Sequence, residues 1–377
     1  MNSILKKIAL FLFLIASVTG FGQHLLLSKN ARVSVLTCDL GNESYSLFGH
    51  TAIRINDLDN QIDVVYNYGA FDFATPNFVA KFTKGDLQYF VVVHSFSDFM
   101  NEYQYERRSV YEQELTIPAA YKQKLFDNLN QTLQSDERFY TYKFIDKNCT
   151  SMVVDIINKT LNAKVITKTK DNNSTYRSIL FPYFDGHFYE KLGTSIIFGK
   201  KVDQQGTRLF LPFELLESLK TTTFGKQLIV KETQTLIAYP KEIEHSWWNT
   251  IYTYLLVLGL ILLINNRKID FIYFTIMGLL GLFFVVVGFY SFHQELSANY
   301  NILLFNPTLL VLLYFWIVKS RKWIFNIAVF NGLCLLFYIG ILINKAHLFI
   351  MLPLILTSGF LVVKLALLNK KKIPIII

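Results

Sequence analysis

Cysteine is scarce: three in 377 residues, at positions 38, 149 and 334. So few thiols exclude a disulfide-stapled scaffold and leave room for one bridge at most, between Cys38 and Cys149. Phosphate-cradling signatures are missing, since neither G-x-G-x-x-G nor a Walker-type lysine loop occurs. There is no H-E-x-x-H spacing, and His24, His94, His187 and His245 are scattered, so neither a metal nor a cofactor is expected. Internal repeats, low-complexity tracts and long linkers are also lacking. The net charge of +9 resembles a nucleic-acid signature until it is mapped along the chain. Beyond residue 264 there are ten Lys/Arg against two acids, whereas residues 23–264 hold 25 against 26. The excess sits at the chain's two ends, and nucleic acid is excluded as a partner.

What is abundant is apolar sequence. The N-terminus MNSILKKIALFLFLIASVTGFGQ sets Lys6 and Lys7 before an apolar run from Ile8 to Val18, then small residues. That is the layout of a secretory signal, expected over residues 1–22. From Trp247 onward five apolar stretches follow, approximately 247–264, 271–290, 303–318, 323–343 and 347–368, each near the ~20 residues that cross a bilayer. Alternate breaks are basic: Arg267 and Lys268, then Lys319, Arg321 and Lys322, then Lys370–Lys372. The positive-inside rule puts these breaks in the cytoplasm and everything before Trp247 outside, with Trp247 and Trp248 as the outer aromatic anchor. The expected organisation is a signal over 1–22, a periplasmic domain over 23–246 and a five-helix membrane domain over 247–377, in the inner membrane with a cytoplasmic C-terminus.

Within the exported region, ARVSVLTCDL reads as a strand ending at Gly41-Asn42. A second strand opens at His50, a third runs through QIDVVYNYGAFDF, and FTKGDLQYFVVV reads as a turn and strand. From Ile117 the pattern turns helical, with Pro118 near the first turn. Residues 149–161 form a second helix, because Cys149, Val153, Ile156, Ile157 and Leu161 share a face. FLPFELLESLK is a short amphipathic helix whose apolar face suits either the domain core or a lipid surface. Strands followed by helices, without repeated βαβ units, predict an α+β domain.

The chemistry concentrates at NCTS, residues 148–151. Asn148 is a candidate N-cap, which places Cys149 in the first helical turn. There the helix's positive end favours a thiolate, the nucleophilic form, and the free first-turn N–H groups can cradle an oxyanion. His50, following Gly49 at a strand start, is the best-placed base, since glycine permits close backbone approach. Asn67 and Asp72 are candidates for the third group that orients such a histidine. The same residues also admit a core histidine with an inert or disulfide-bonded cysteine. The segment SFHQELSANYNILLFNP brings His293, Glu295, Asn299 and Asn301 to the outer membrane surface. These either grip a lipid headgroup or lipopeptide, or satisfy helix ends. Cys334, Asn326 and Asn331 in the fourth stretch read as packing and helix–helix glue.

The blocks SVLTCDLGNESYSLFGHTAIRI, VVYNYGAFDF, FTKGDLQYFVVV, ERRSVYEQELTI and YKFIDKNCTSMVVDII, in that order, resemble the Lnb N-terminal periplasmic domain family. STYRSILF, GKKVDQQGTRLFLPFELL and the His-plus-Asn loop SFHQELSANYNILLFNP extend the likeness over most of the chain. The resemblance implies a circularly permuted papain-like fold with His50 and Cys149 as catalytic pair. It implies an apolipoprotein N-acyltransferase, which moves an acyl chain from phospholipid to the amine of a diacylglyceryl-cysteine lipoprotein. Lys147 and Met152 stand where the family usually has Asp and Arg. Two other readings stay open here: a cysteine peptidase or amidase acting on cell-wall peptides, and a non-catalytic module with a Cys38–Cys149 disulfide.

Overall fold

The computed structural model describes residues 25–43, 45–240 and 246–370. The expected signal over 1–22 lies outside the described residues, as do His24, His245 and the last lysines of the tail. The exported part is built on β1 (Arg32–Cys38), β2 (His50–Asp57), β3 (Ile62–Ala70), α1 (Phe78–Lys84), β4 (Gln88–Ser95), α2 (Phe96–Tyr105) and β5 (Val110–Glu114). There follow α3 (Ala119–Gln134), β6 (Phe139–Thr141), α4 (Cys149–Leu161), α5 (Tyr176–Leu180), α6 (Phe188–Ile197) and α7 (Pro212–Leu219). A two-residue hairpin pair, β7 (Thr223–Phe224) and β8 (Gln227–Leu228), precedes the edge strand β9 (Gln234–Ile237).

Seven of these strands form one antiparallel sheet in the order β6-β4-β3-β2-β1-β5-β9. Alternation along β1 and β2 sends Val33, Val35, Ile53 and Ile55 to one face. That face is covered by Leu125, Phe126 and Leu129 of α3 and by Val153, Ile156, Ile157 and Leu161 of α4. The α4 residues are those its helical spacing predicts. Burying each such side chain is worth about 1.5–3 kcal/mol, which is what fixes α4 against the sheet. The opposite face carries Leu36, Ala52 and Val65 under Phe99 and Tyr103 of α2. The α+β expectation holds for this part of the chain.

Two local readings are refined. Phe82-Thr83-Lys84 closes α1 rather than starting a turn, Gly85 caps that helix at φ +75, and the strand begins only at Gln88. The amphipathic α7 buries Leu215, Leu216 and Leu219 in the domain, so its apolar face serves the core and not the lipid. Helix α6 instead lends Phe188, Tyr189, Leu192, Ile196 and Ile197 to the apolar core of the membrane half.

Among its described residues that half contains five apolar helices: α8 (Ile251–Ile264), α9 (Arg267–Tyr290), α10 (Thr308–Ile317), α11 (Arg321–Leu342) and α12 (Leu348–Asn369). Among the described residues α9, α11 and α12 are long and apolar enough to cross a membrane. Helix α10 makes a fourth crossing if joined to the short turns before it, from which it bends by 41°. Asn306-Pro307 causes that break: the proline ring cannot continue a preceding helix, and the Asn306 side chain caps the new one through the Thr308 N–H at 3.0 Å. Helix α8 has 14 residues.

Candidate active site

Cys149 heads α4 because Asn148 caps it. The Asn148 side-chain oxygen accepts from the Ser151 N–H at 2.9 Å, and the Ser151 hydroxyl accepts from the Asn148 N–H at 2.9 Å. The Asn148 amide donates to the carbonyls of Phe144 (2.7 Å) and Phe210 (2.9 Å). Its side chain is therefore fully engaged in holding the turn. The cap takes the Ser151 N–H, which leaves the first-turn N–H groups of Cys149 and Thr150 as candidate oxyanion donors.

His50 arrives from β2. Gly49 before it has φ +78, and a Cβ there would lie 2.6 Å from the Cys38 carbonyl oxygen, so glycine is required at this turn. Thr51 and Thr150, the residues that follow the two partners, join hydroxyls at 2.9 Å in a fully buried contact. This bond pins the head of α4 to the start of β2 and brings Cys149 close enough to His50 for each to shift the other's charge. The Cys149 sulfur is half-buried and free.

On its other side the imidazole Nε2 lies 3.2 Å from Asn67 Oδ1. With Nε2 donating to that oxygen, Nδ1 is the nitrogen left for the thiol. The Asn67 amide nitrogen lies 3.2 Å from His94 Nδ1 and 3.4 Å from the Val65 carbonyl, which fixes which end of the amide faces His50. Asp72 does not enter this network. Its carboxylate accepts from the Ala74 N–H at 2.8 Å in an exposed turn. Of the two candidate orienting groups, the structure brings Asn67 to His50.

Electrostatics follow from this packing. Burial alone would push the Cys149 thiol up. The His50 charge and hydrogen bond, the Thr51 N–H and the Thr150 hydroxyl outweigh it and hold the thiol below its ordinary value. Burial pulls His50 down, but the Cys149 charge and hydrogen bond and the bond to Asn67 carry it above its ordinary value. Both directions favour a thiolate–imidazolium pair. Cys38 is the contrast: also free, buried on β1, its thiol is pushed up to about 12 by burial. The Cys38–Cys149 bridge considered from sequence does not form.

The membrane loop is a seam. His293 Nε2 meets the Phe82 carbonyl at 2.9 Å, Glu295 Oε1 accepts from the Ile145 N–H at 3.3 Å, and the Glu295 carbonyl accepts from the Gly199 N–H at 2.7 Å. Asn299 donates to the carbonyls of Ile196 and Ile197, and Asn301 to those of Ser195, Ile196 and Phe198. Glu295 and Asn301 are 1% and 0% exposed; Glu295 accepts from the N–H groups of Ile145 and Gly199, and Asn301 satisfies the carbonyls at the end of α6, so together they join the two halves. The loop also touches Lys143 and Ile145, in the stretch that delivers Asn148 and Cys149.

Sequence reasoning missed Thr51, Thr150 and His94. The threonines carry a signal, since each directly follows a candidate catalytic residue. His94 carries none until β3 and β4 are in register: Asn67 faces Val92, and His94 is two residues on, hence on the same face.

A family model described as the Lnb N-terminal periplasmic domain matches residues 25–181. A second, described as the Lnb transmembrane domain, matches residues 247–372. The chain belongs to the Lnb family. In Lnb terms, Cys149, His50 and Asn67 fall within the periplasmic match, and the seam from His293 to Asn301 within the transmembrane one. The exported domain is thus periplasmic and the C-terminal region is membrane-spanning. Neither the curated proteins nor the solved structures contain a match to the chain.

Proposed function

We propose that the chain is a thiol-dependent N-acyltransferase of the inner membrane. It moves a fatty acyl chain from phospholipid, through a thioester on Cys149, to the N-terminal amine of diacylglyceryl-cysteine lipoproteins. Family membership supports the broader statement, a lipoprotein-processing membrane protein. The observation that carries the finer one is the Cys149–His50–Asn67 array, in which a free thiol meets an imidazole held by an amide oxygen. Cys-His-Asn is the papain-like set, and the order of histidine before cysteine supports the permuted arrangement.

The Cys149 thiolate attacks an ester carbonyl of the phospholipid, and the first-turn N–H groups of α4 receive the oxyanion. The C–O bond breaks as the His50 imidazolium gives its proton to the departing lysophospholipid oxygen. The lipoprotein amine then attacks the thioester, His50 takes the amine proton, and the thiolate leaves. Asn67 keeps the imidazole aimed throughout. Both substrates are anchored in the bilayer, so joining the site to membrane helices raises their effective concentration.

The test is chemical trapping. Purified protein incubated with radiolabelled phospholipid acquires a label that neutral hydroxylamine releases, and Cys149→Ser acquires none. Absence of label on the native chain refutes the reading, and release of peptides from peptidoglycan in its place would establish the peptidase alternative.

A further inference from the structure

Between the thiol and the bilayer lies an uncovered strip of aromatic rings that the chemistry above does not use. It starts next to the nucleophile: Gly69 (φ +109) faces Cys149, and a Cβ placed on Gly69 would lie 3.8 Å from the Cys149 Cβ. Two residues on, the Phe71 ring contacts Phe73 at 4.8 Å and Phe78 at 5.9 Å between centroids. Phe78 lies parallel to Phe82 at 6.4 Å, and Phe82 reaches the His293 ring at 5.9 Å. Phe71, Phe78 and Cys149 are all partly buried and pack against the main core of the domain. The outward side is open, with Phe73 68%, Val79 74% and Phe82 44% exposed.

The far end of the strip is fixed at the membrane surface. Helix α1 is held to the outer end of α9 by hydrogen bonds from the Ser291 hydroxyl to the Thr83 (2.8 Å) and Lys84 (3.3 Å) carbonyls, from the Phe292 N–H to the Lys84 carbonyl (2.7 Å), and between His293 Nε2 and the Phe82 carbonyl (2.9 Å). The neighbouring Phe292 is 57% exposed, where aromatic side chains mark the bilayer interface. A continuous apolar surface that begins in the interface and ends at a nucleophile is costly in water and suits an extended hydrocarbon chain.

We infer that this strip seats the acyl chain of the phospholipid donor, its ester carbonyl at Cys149 and its methyl end trailing over Phe78 and Phe82 into the outer leaflet. The inference rests on the acyl-transfer reading for the donor's identity. Gly69 leaves room beside the sulfur for the carbonyl, and the rings keep the methylenes out of water while the ester is lifted clear of the headgroups. Lost ring contacts therefore penalise long chains and spare short ones.

The experiment uses the full-length Cys149→Ser protein in phosphatidylethanolamine vesicles containing a phospholipid with a diazirine near the tail of one chain. Irradiation and peptide mapping place cross-links on residues 71–82, and a headgroup diazirine labels that segment less. Cross-links confined to α8–α12, or heavier labelling of 71–82 by the headgroup probe, overturn the inference. In the otherwise native chain, the double variant Phe73→Ser, Phe78→Ser slows thioester formation from a dioleoyl donor by roughly tenfold or more, and from a dihexanoyl donor by about twofold or less. Equal slowing of both donors, or of neither, overturns it as well. Tail labelling of 71–82 in a protein that never forms a thioester would leave the lipid seat standing and remove the proposed reaction. A thioester formed with labelling elsewhere would do the reverse.

Discussion

Replacing Asn67 with alanine isolates the orienting group. Asn67 is 7% exposed, its oxygen is 3.2 Å from His50 Nε2, and it is one of the groups that raise His50 above its ordinary value. A hydrogen bond to a group that becomes charged is worth about 1.5–3 kcal/mol. Its loss moves the His50 titration acidward and slows the reaction roughly 10–150-fold. The sign follows from roles: thioester formation needs Cys149 ionised, which sets the acid limb, and His50 protonated, which sets the alkaline limb. Removing Asn67 lowers the alkaline limb and leaves the acid limb nearly in place, so the bell narrows from its upper side. The assay is the initial rate of hydroxylamine-labile labelling from phospholipid between pH 5 and 10, with thermal melting as a folding control. Asn67→Asp keeps an acceptor and adds negative charge, so its alkaline limb rises instead. An Asn67→Ala protein that folds normally and keeps both its rate and its upper limb would refute the assignment.

The remaining expectations concern the supports of the site. Cys149→Ser lowers acyl transfer by about a thousandfold or more while the melting temperature stays near that of the native chain, because the hydroxyl lacks the thiol's ionisation. Gly49→Ala forces an alanine into φ +78 against the Cys38 carbonyl and costs about 1–3 kcal/mol, read in a chemical melt, with loss of labelling as His50 shifts. Arg177→Met strands Asp203, its partner at 2.8 Å in a pair 1% and 2% exposed, and lowers stability by about 3–5 kcal/mol in the same melt. Asn301→Leu leaves the carbonyls of Ser195, Ile196 and Phe198 without that donor, and amide exchange quickens across 195–199 and 291–301.

Legibility in the sequence tracked the range of the interaction. Helix α4 was readable to the residue because a local cap and a 3.6-residue spacing at Val153, Ile156, Ile157 and Leu161 both belong to one segment. β1, β2 and β3 announced themselves by β-branched runs between turn residues. His50 and Cys149 stood out from their neighbours, Gly49 and Asn148, before any contact was known. Hidden features depend on partners far along the chain. β9 is a four-residue edge strand with two exposed positions, recognisable only through its pairing with β5. The choice of Asn67 over Asp72 rests on which residue the β2–β3 register turns toward His50. The loop from His293 to Asn301 reads as polar in either role, and only the carbonyls of residues 195–198, about a hundred positions away by the hydrogen bonds that join them, reveal its use.

The seam ties the reactivity of the sulfur to the mechanics of its host membrane. Ser291, Phe292, His293 and Glu295 continue directly from the outer end of α9 and grip Thr83, Lys84, Phe82 and Ile145. A bilayer thicker or thinner than the helices prefer makes them tilt. Any tilt of α9 is passed through Phe82, Thr83 and Lys84 to α1 and through Ile145 to the residues leading into Cys149. Under the proposed reaction, lipid composition acts twice on this chain, once as reagent and once as a lever on the geometry around the sulfur.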